Sequence, residues 1–229
     1  MRPQVRPLIT VFAAVLILIS CSTDDPSQPG AAIHQSYEIE YDVARDRTTG
    51  RAALRVDNAS GAQTQLGSPA GILYNGTAMS FSNVEPFGYE RIQNGRIASG
   101  TFEYTDGTGT VKTNTALIAS VETIALPSGV NALTMSTGAE IVWEGAAVGI
   151  DETVLLIFST PSAGVATYFQ QSVGATSITL SSAHLTQLGA GVGTWRLERL
   201  KTMGLQAPTT AGGSIGVRWS TGDSPVTIN

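Results

Sequence analysis

The sequence predicts an all-β protein made of two antiparallel β-sandwich domains, and three observations carry that expectation. From Tyr37 onward, short runs rich in Val, Ile, Thr and aromatic residues alternate apolar with polar side chains, the two-residue period of a half-buried strand. Gly, Asn, Asp and Pro punctuate the runs at roughly 8 to 12 residues, the spacing of sandwich strands. A sustained 3.6-residue apolar period, which would mark an amphipathic helix, is hardly present.

Taken in order, YEIEYDV (37–43) sets Tyr37, Ile39, Tyr41 and Val43 on one face and Glu38, Glu40 and Asp42 on the other. RAALRVD (51–57) alternates Ala52, Leu54 and Val56 with Arg51, Ala53 and Arg55, and the polar ARDRTTG between the two runs predicts a hairpin. AGILYNGTAMSF (70–81) should bend at Asn75-Gly76, a tight-turn dipeptide. YERIQ (89–93) and IASGTFEYT (97–105) follow, the second running into another turn dipeptide, Asp106-Gly107. TVKTNTALIASVETIAL (110–126) is too long for one strand and is expected to bend, and AEIVWEG (139–145) closes the first unit.

The loop AAVGIDE places a domain boundary near residue 150. Beyond it come TVLLIFS (153–159), GVATYFQQ (164–171), TSITL (176–180), GTWRLERLKT (193–202), GSIGVRWS (213–220) and PVTI (225–228). In SSAHLTQLGAG, Ser182 is read as the cap of one short helical turn that Gly189 ends. The expected domains are therefore 36–150 and 151–229.

The N-terminus has a different texture. Arg2 and Arg6 precede an uncharged run from Leu8 to Ile19, shorter than the roughly 20 residues a membrane-spanning helix needs, in the layout of a signal peptide (1–20). Leu18, Ile19, Ser20 and Cys21 resemble the lipobox of bacterial lipoproteins. That resemblance implies cleavage after Ser20 and a diacylglyceryl thioether on Cys21, so the lone cysteine is a lipid attachment site. Two or more acyl chains hold a protein firmly where one binds only reversibly. The polar stretch 21–35, rich in Ser, Pro and Gly, then reads as a flexible lipidated tether. Asp24 and Asp25 resemble an acidic sorting signal of outer-membrane lipoproteins, and two solvated linker aspartates explain the same residues equally well. The expected localisation is export, with lipid anchoring to a bacterial membrane, the outer membrane foremost.

Net charge is −5 and charged residues make up only 14% of the chain, against about 25% in typical soluble domains. An acidic body lacks the basic footprint of nucleic-acid binding, so no nucleic-acid partner is expected. With Cys21 the only cysteine, no intramolecular disulfide can form and stability must come from cores.

The residues that carry chemistry are few. Of the two histidines, His34 falls in the tether and His184 in the short helical turn, and no Gly-x-Ser-x-Gly elbow accompanies them. Zinc would need Cys or His at close spacing, and the carboxylates do not follow a calcium-loop pattern, which leaves room for at most one ion held by loop carbonyls. Neither GAGVG (189–193) nor AGGSIG (211–216) leads into a helix with the Lys-Ser/Thr of a phosphate loop. Glu38, Glu40, Glu103, Glu122, Glu144 and Glu198 alternate with apolar neighbours and read mostly as solvated faces. No catalytic or metal residue is assigned, and no cofactor is expected. Trp143, Trp195 and Trp219 are in phase with Ile141, Leu197 and Val217, which predicts core positions. Tyr74, Phe87 and Tyr89, near turns, are the better candidates for exposed aromatics.

The body is loosely similar to immunoglobulin-like or fibronectin-type-III-like sandwiches, without their defining motifs. Two functions are compatible with these residues: a non-catalytic, membrane-anchored envelope lipoprotein serving as a binding or spacer module, or a carbohydrate-binding or carbohydrate-processing surface lipoprotein. The partners expected are the membrane, through the anchor, and an envelope protein or glycan. A concave, aromatic-lined face with converging polar groups would favour the carbohydrate reading.

Overall fold

A computed structural model describes residues 32–82 and 86–229. The signal-like run, Cys21 and the tether up to residue 31 lie outside the described residues. The all-β expectation holds, with one short α-helix among the described residues. Strand β1 (Ile33–Asp42) starts inside the stretch read as tether, so His34 belongs to a strand.

β1 and β2 (Arg47–Val56) form the expected hairpin, paired from Ile33–Val56 to Asp42–Arg47. Asp46 supplies the left-handed residue of their turn, at φ 43°, and accepts a 2.8 Å hydrogen bond from the Tyr41 hydroxyl. β3 (Gly71–Tyr74) and β4 (Thr77–Ala78) turn at Asn75 and Gly76, both at positive φ, the conformation for which Asn-Gly is suited. After β5 (Ser80–Phe81) and β6 (Tyr89–Asn94), β7 (Ser99–Thr105) and β8 (Val111–Leu117) form a second hairpin. There the Asp106 carboxylate accepts from the Thr108 and Thr110 amides, and Gly109, not Gly107, takes the left-handed conformation. The long run after residue 110 does bend, through a short 3-10 turn at Ile118–Ser120.

Three short strands, β9 (Ile124–Ala125), β10 (Ala132–Leu133) and β11 (Ala139–Val142), lead to β12 (Glu144–Gly145). The longer β13 (Glu152–Thr160) and β14 (Gly164–Gln170) form a third hairpin. β15 (Ser177–Leu180) precedes helix α1 (Ser182–Leu188), and β16 (Gly191–Gly204), β17 (Gly213–Ser220) and β18 (Ser224–Ile228) complete the chain. The helix cap is Ser181, one residue before the serine expected. Its hydroxyl accepts from the His184 amide at 3.2 Å while the His184 ring accepts from the Ser181 amide at 3.3 Å, a reciprocal capping box.

Among the described residues ten strands share one sheet, whose backbone order is β14, β13, β16, β17, β1, β2, β6 and β5, with β18 and β10 continuing beside β16. β1 and β17 run parallel from Gln35–Gly213 to Asp42–Ser220, so the two ends of the body lie side by side at its centre. The sheet therefore crosses the boundary expected near residue 150, and one continuous hydrophobic cluster joins both sides of it. The inner face is covered in a sandwich-like arrangement by the four-stranded sheet β4-β3-β7-β8, the small β11-β15 sheet and α1. Tyr37 stacks on Phe102 at 4.5 Å between ring centres, and Phe158 packs on Trp195 at 5.9 Å. Each fully buried aliphatic or aromatic side chain contributes about 1.5–3 kcal/mol, and Ile39, Leu54, Leu156, Leu197, Ile215 and Val217 all reach that state.

Two glycines are required by this packing. A Cβ on Gly50 would stand 2.5 Å from the Tyr74 ring, and one on Gly100 would stand 2.5 Å from Ile39 and 2.8 Å from Tyr74. The Tyr74 ring fills the space that both leave open.

Candidate functional site: a charged groove on the large sheet

Alternation along the central strands turns Tyr37, Ile39 and Tyr41 inward and Glu38, Glu40 and Asp42 outward. The same rule turns Thr49 and Arg51 of β2, Arg196 and Glu198 of β16, and Arg218 and Ser220 of β17 to the outer face. These side chains, with Ile157 of β13, Thr167 of β14 and Phe87 from the segment before β6, line a groove of about 760 Å³. Among the described residues, five carboxylates and five arginines converge on it.

The charges form an alternating chain across neighbouring strands. Arg51 donates to Glu90 at 2.9 Å, to Glu38 at 3.1 Å, and to Glu40. Arg218 donates to Glu38 at 2.6 Å and to Glu198. Arg196 continues the row to Glu198 at 2.7 Å and to Asp223 at 3.0 Å, and Arg45 closes on Asp42 at 2.7 Å. Glu38 and Arg51 are direct cross-strand partners, the arrangement in which opposite charges stabilise a sheet. Burial works against the charge on Arg51 and Arg218, but the surrounding carboxylates outweigh it and hold both guanidinium pKa values above the ordinary arginine value.

Glu38 and Glu198, expected on solvated faces, are buried at 6% and 4% exposure beneath these arginines. A two-residue period tells inward from outward; it does not tell that an outward carboxylate will be roofed by an arginine from another strand. A legible signal did exist, since outward arginines recur on the strands that flank the Glu-bearing ones. Arg47 differs from its neighbours. It lines the groove with no ion pair among the described residues, and its Nε is buried without a hydrogen-bond partner.

The other candidates fall elsewhere. His184 serves the α1 cap, and His34 lies beside Ser36 at 3.5 Å, its pKa lowered by burial and by Arg55. Neither lines the groove. Trp143, Trp195 and Trp219 are buried as expected. Tyr74 and Tyr89 are buried too, contrary to expectation: Tyr74 lies between the two glycines, and the Tyr89 hydroxyl accepts from the Leu66 amide at 2.8 Å. Of the three turn aromatics only Phe87 reaches the groove, half-buried. Among the described residues no three His, Cys, Asp or Glu side chains are grouped so as to hold a metal ion.

No protein-family model matches the chain, and no curated protein matches it. Among solved structures, it is similar to one described as "Structural insight into host cell surface retention of a 1.5-MDa bacterial ice-binding adhesin", with a TM-score of 0.25 and 13% identity. The match covers 87% of this chain and 66% of that one, so the chain spans under two thirds of its length. A TM-score of that size does not establish a common fold.

Proposed function

We propose that the protein is a non-catalytic envelope lipoprotein, anchored through Cys21, whose β body binds a polar partner in the groove of its large sheet. The observation that carries this reading is the convergence, among the described residues, of five carboxylates and five arginines on one concave face. Each groove carboxylate already accepts from an arginine, an arrangement suited to presenting fixed charges rather than to passing protons. The lipobox-like residues 18–21 support the anchor and, with Asp24 and Asp25, an outer-membrane location. In this reading the body acts as one unit, not as two immunoglobulin-like modules in tandem, because the groove draws its walls from both sides of residue 150.

A carbohydrate ligand is the second reading, and Phe87 favours it. A half-buried ring at the edge of a groove of planar guanidinium and carboxylate groups offers one stacking face plus donors and acceptors for sugar hydroxyls.

Cys21→Ser tests the anchor: the variant should leave the detergent-extractable membrane fraction, and full retention would overturn that part. For the groove, the full chain is screened by glycan array and envelope pull-down beside Arg47→Ala and Phe87→Ala. Loss of capture of a protein with Arg47→Ala supports the first ligand class, and loss of glycan retention with Phe87→Ala supports the second. Capture unchanged by either substitution would overturn the groove as the binding face.

A further inference from the structure

We infer that β14 is the docking edge for a second copy of this chain, which pairs with it antiparallel about a two-fold axis through Thr167. The inference is independent of what the groove binds. β14 pairs only with β13 among the described residues, so alternate N–H and C=O groups along its other side have no strand partner. On the outer face it carries Val165, Thr167 and Phe169, with Val165 70% and Phe169 65% exposed.

Proteins ordinarily protect such an edge with lysine, proline or a bulge. Here that protection is missing: no Asp, Glu, Lys or Arg occurs between Glu152 and Arg196, and β14 itself contains no proline. In a chain of net charge −5, a charge-free edge is where an identical molecule can approach without Coulomb repulsion.

The sequence of the edge also complements itself. An antiparallel pair centred on Thr167 sets Val165 of each copy against Phe169 of the other, an aromatic to β-branched cross-strand contact made twice by symmetry. Thr167 lines the charged groove as well, so the pairing would bring two grooves onto one continuous sheet face. A second copy supplies both halves of this contact from one sequence, an aromatic ring facing a β-branched side chain with no charge on either strand.

Facing residues of antiparallel strands have Cα atoms about 4.5–5.5 Å apart, within disulfide range, so a cysteine on the axis must meet its own mate. The full chain with Cys21→Ser and Thr167→Cys contains a single thiol. Mild oxidation should yield a disulfide-linked species of twice the 23.8 kDa chain mass. Val111→Cys, on the exposed outer face of β8, should not. Adding Val165→Lys and Phe169→Lys sets lysines against one another across the axis and should abolish the Thr167→Cys product, while circular dichroism remains that of the parent. Sedimentation of the Cys21→Ser chain should show a monomer–dimer equilibrium that the lysine pair removes. The inference is overturned if Thr167→Cys links no faster than Val111→Cys, if it links chiefly to a different protein, or if the lysine pair leaves the yield unchanged.

Discussion

Glu38 and Arg218 stand 180 positions apart in the chain and meet with 2.6 Å between Oε2 and Nη2, joining the first strand of the body to the strand that becomes its parallel neighbour. Glu38 also accepts from Arg51, so one carboxylate holds both flanking strands. Glu38→Leu should take one carboxylate from two arginines at once, leaving Arg51 with Glu40 and Glu90 and Arg218 with Glu198. The expected cost is roughly 2–3 kcal/mol, below the 3–5 of a fully buried broken pair because both arginines keep another carboxylate and partial contact with water. A denaturant midpoint shift equivalent to less than about 0.5 kcal/mol would class the network with ordinary surface pairs.

The tryptophans provide a test of the core. Trp195 packs on Phe158 at 1% exposure, and Trp195→Ala should cost about 3–5 kcal/mol. Native fluorescence should resist acrylamide, since Trp143 and Trp219 are buried as well. Ready quenching of all three would contradict this packing.

Gly50→Ala should destabilise through overpacking by about 1–3 kcal/mol, because its methyl would enter the Tyr74 ring. In a Tyr74→Leu background the penalty should shrink, a coupling that a double-mutant cycle reads directly. Equal penalties in both backgrounds would show that the ring is not what excludes the methyl.

Alkaline pH should unfold the protein through its tyrosines. Burial raises Tyr104 to about 12, with nearby Asp106 and Tyr89 adding to the shift, and burial also pushes Tyr37 and Tyr74 above the usual phenol value. A raised folded pKa means the stabilisation is complete below the unfolded value near 10 and is lost as pH rises through the folded one. Tyrosinate absorbance should therefore lag behind that of free tyrosine and then rise together with loss of strand signal above pH 10. Full ionisation near pH 10 with the fold intact would refute the buried environment.

At the helix, Ser181→Ala should cost about 1 kcal/mol by uncapping α1, and Ser182→Ala should cost clearly less, since Ser182 is already inside the helix. Thermal midpoints of the two variants decide between the caps.

What the sequence by itself determined is local. The period of two from Tyr37 to Asp42, the Asn75-Gly76 turn and the phase of each Trp with its aliphatic neighbours follow from backbone geometry within a few residues and stand in the structure, whereas Val43, expected inward, lies past the end of β1 and is exposed. The signal-like N-terminus and Cys21 rest on the sequence alone. What only the tertiary structure decided is which strands become neighbours. Nothing local in YEIEYDV points to GSIGVRWS, because pairing β1 with β17 is a choice among all strand edges, settled by burying one shared core. Sheet, groove and the roofing of Glu38 and Glu198 by arginines follow from that pairing, since each needs side chains that the chain brings together only after it has closed on itself.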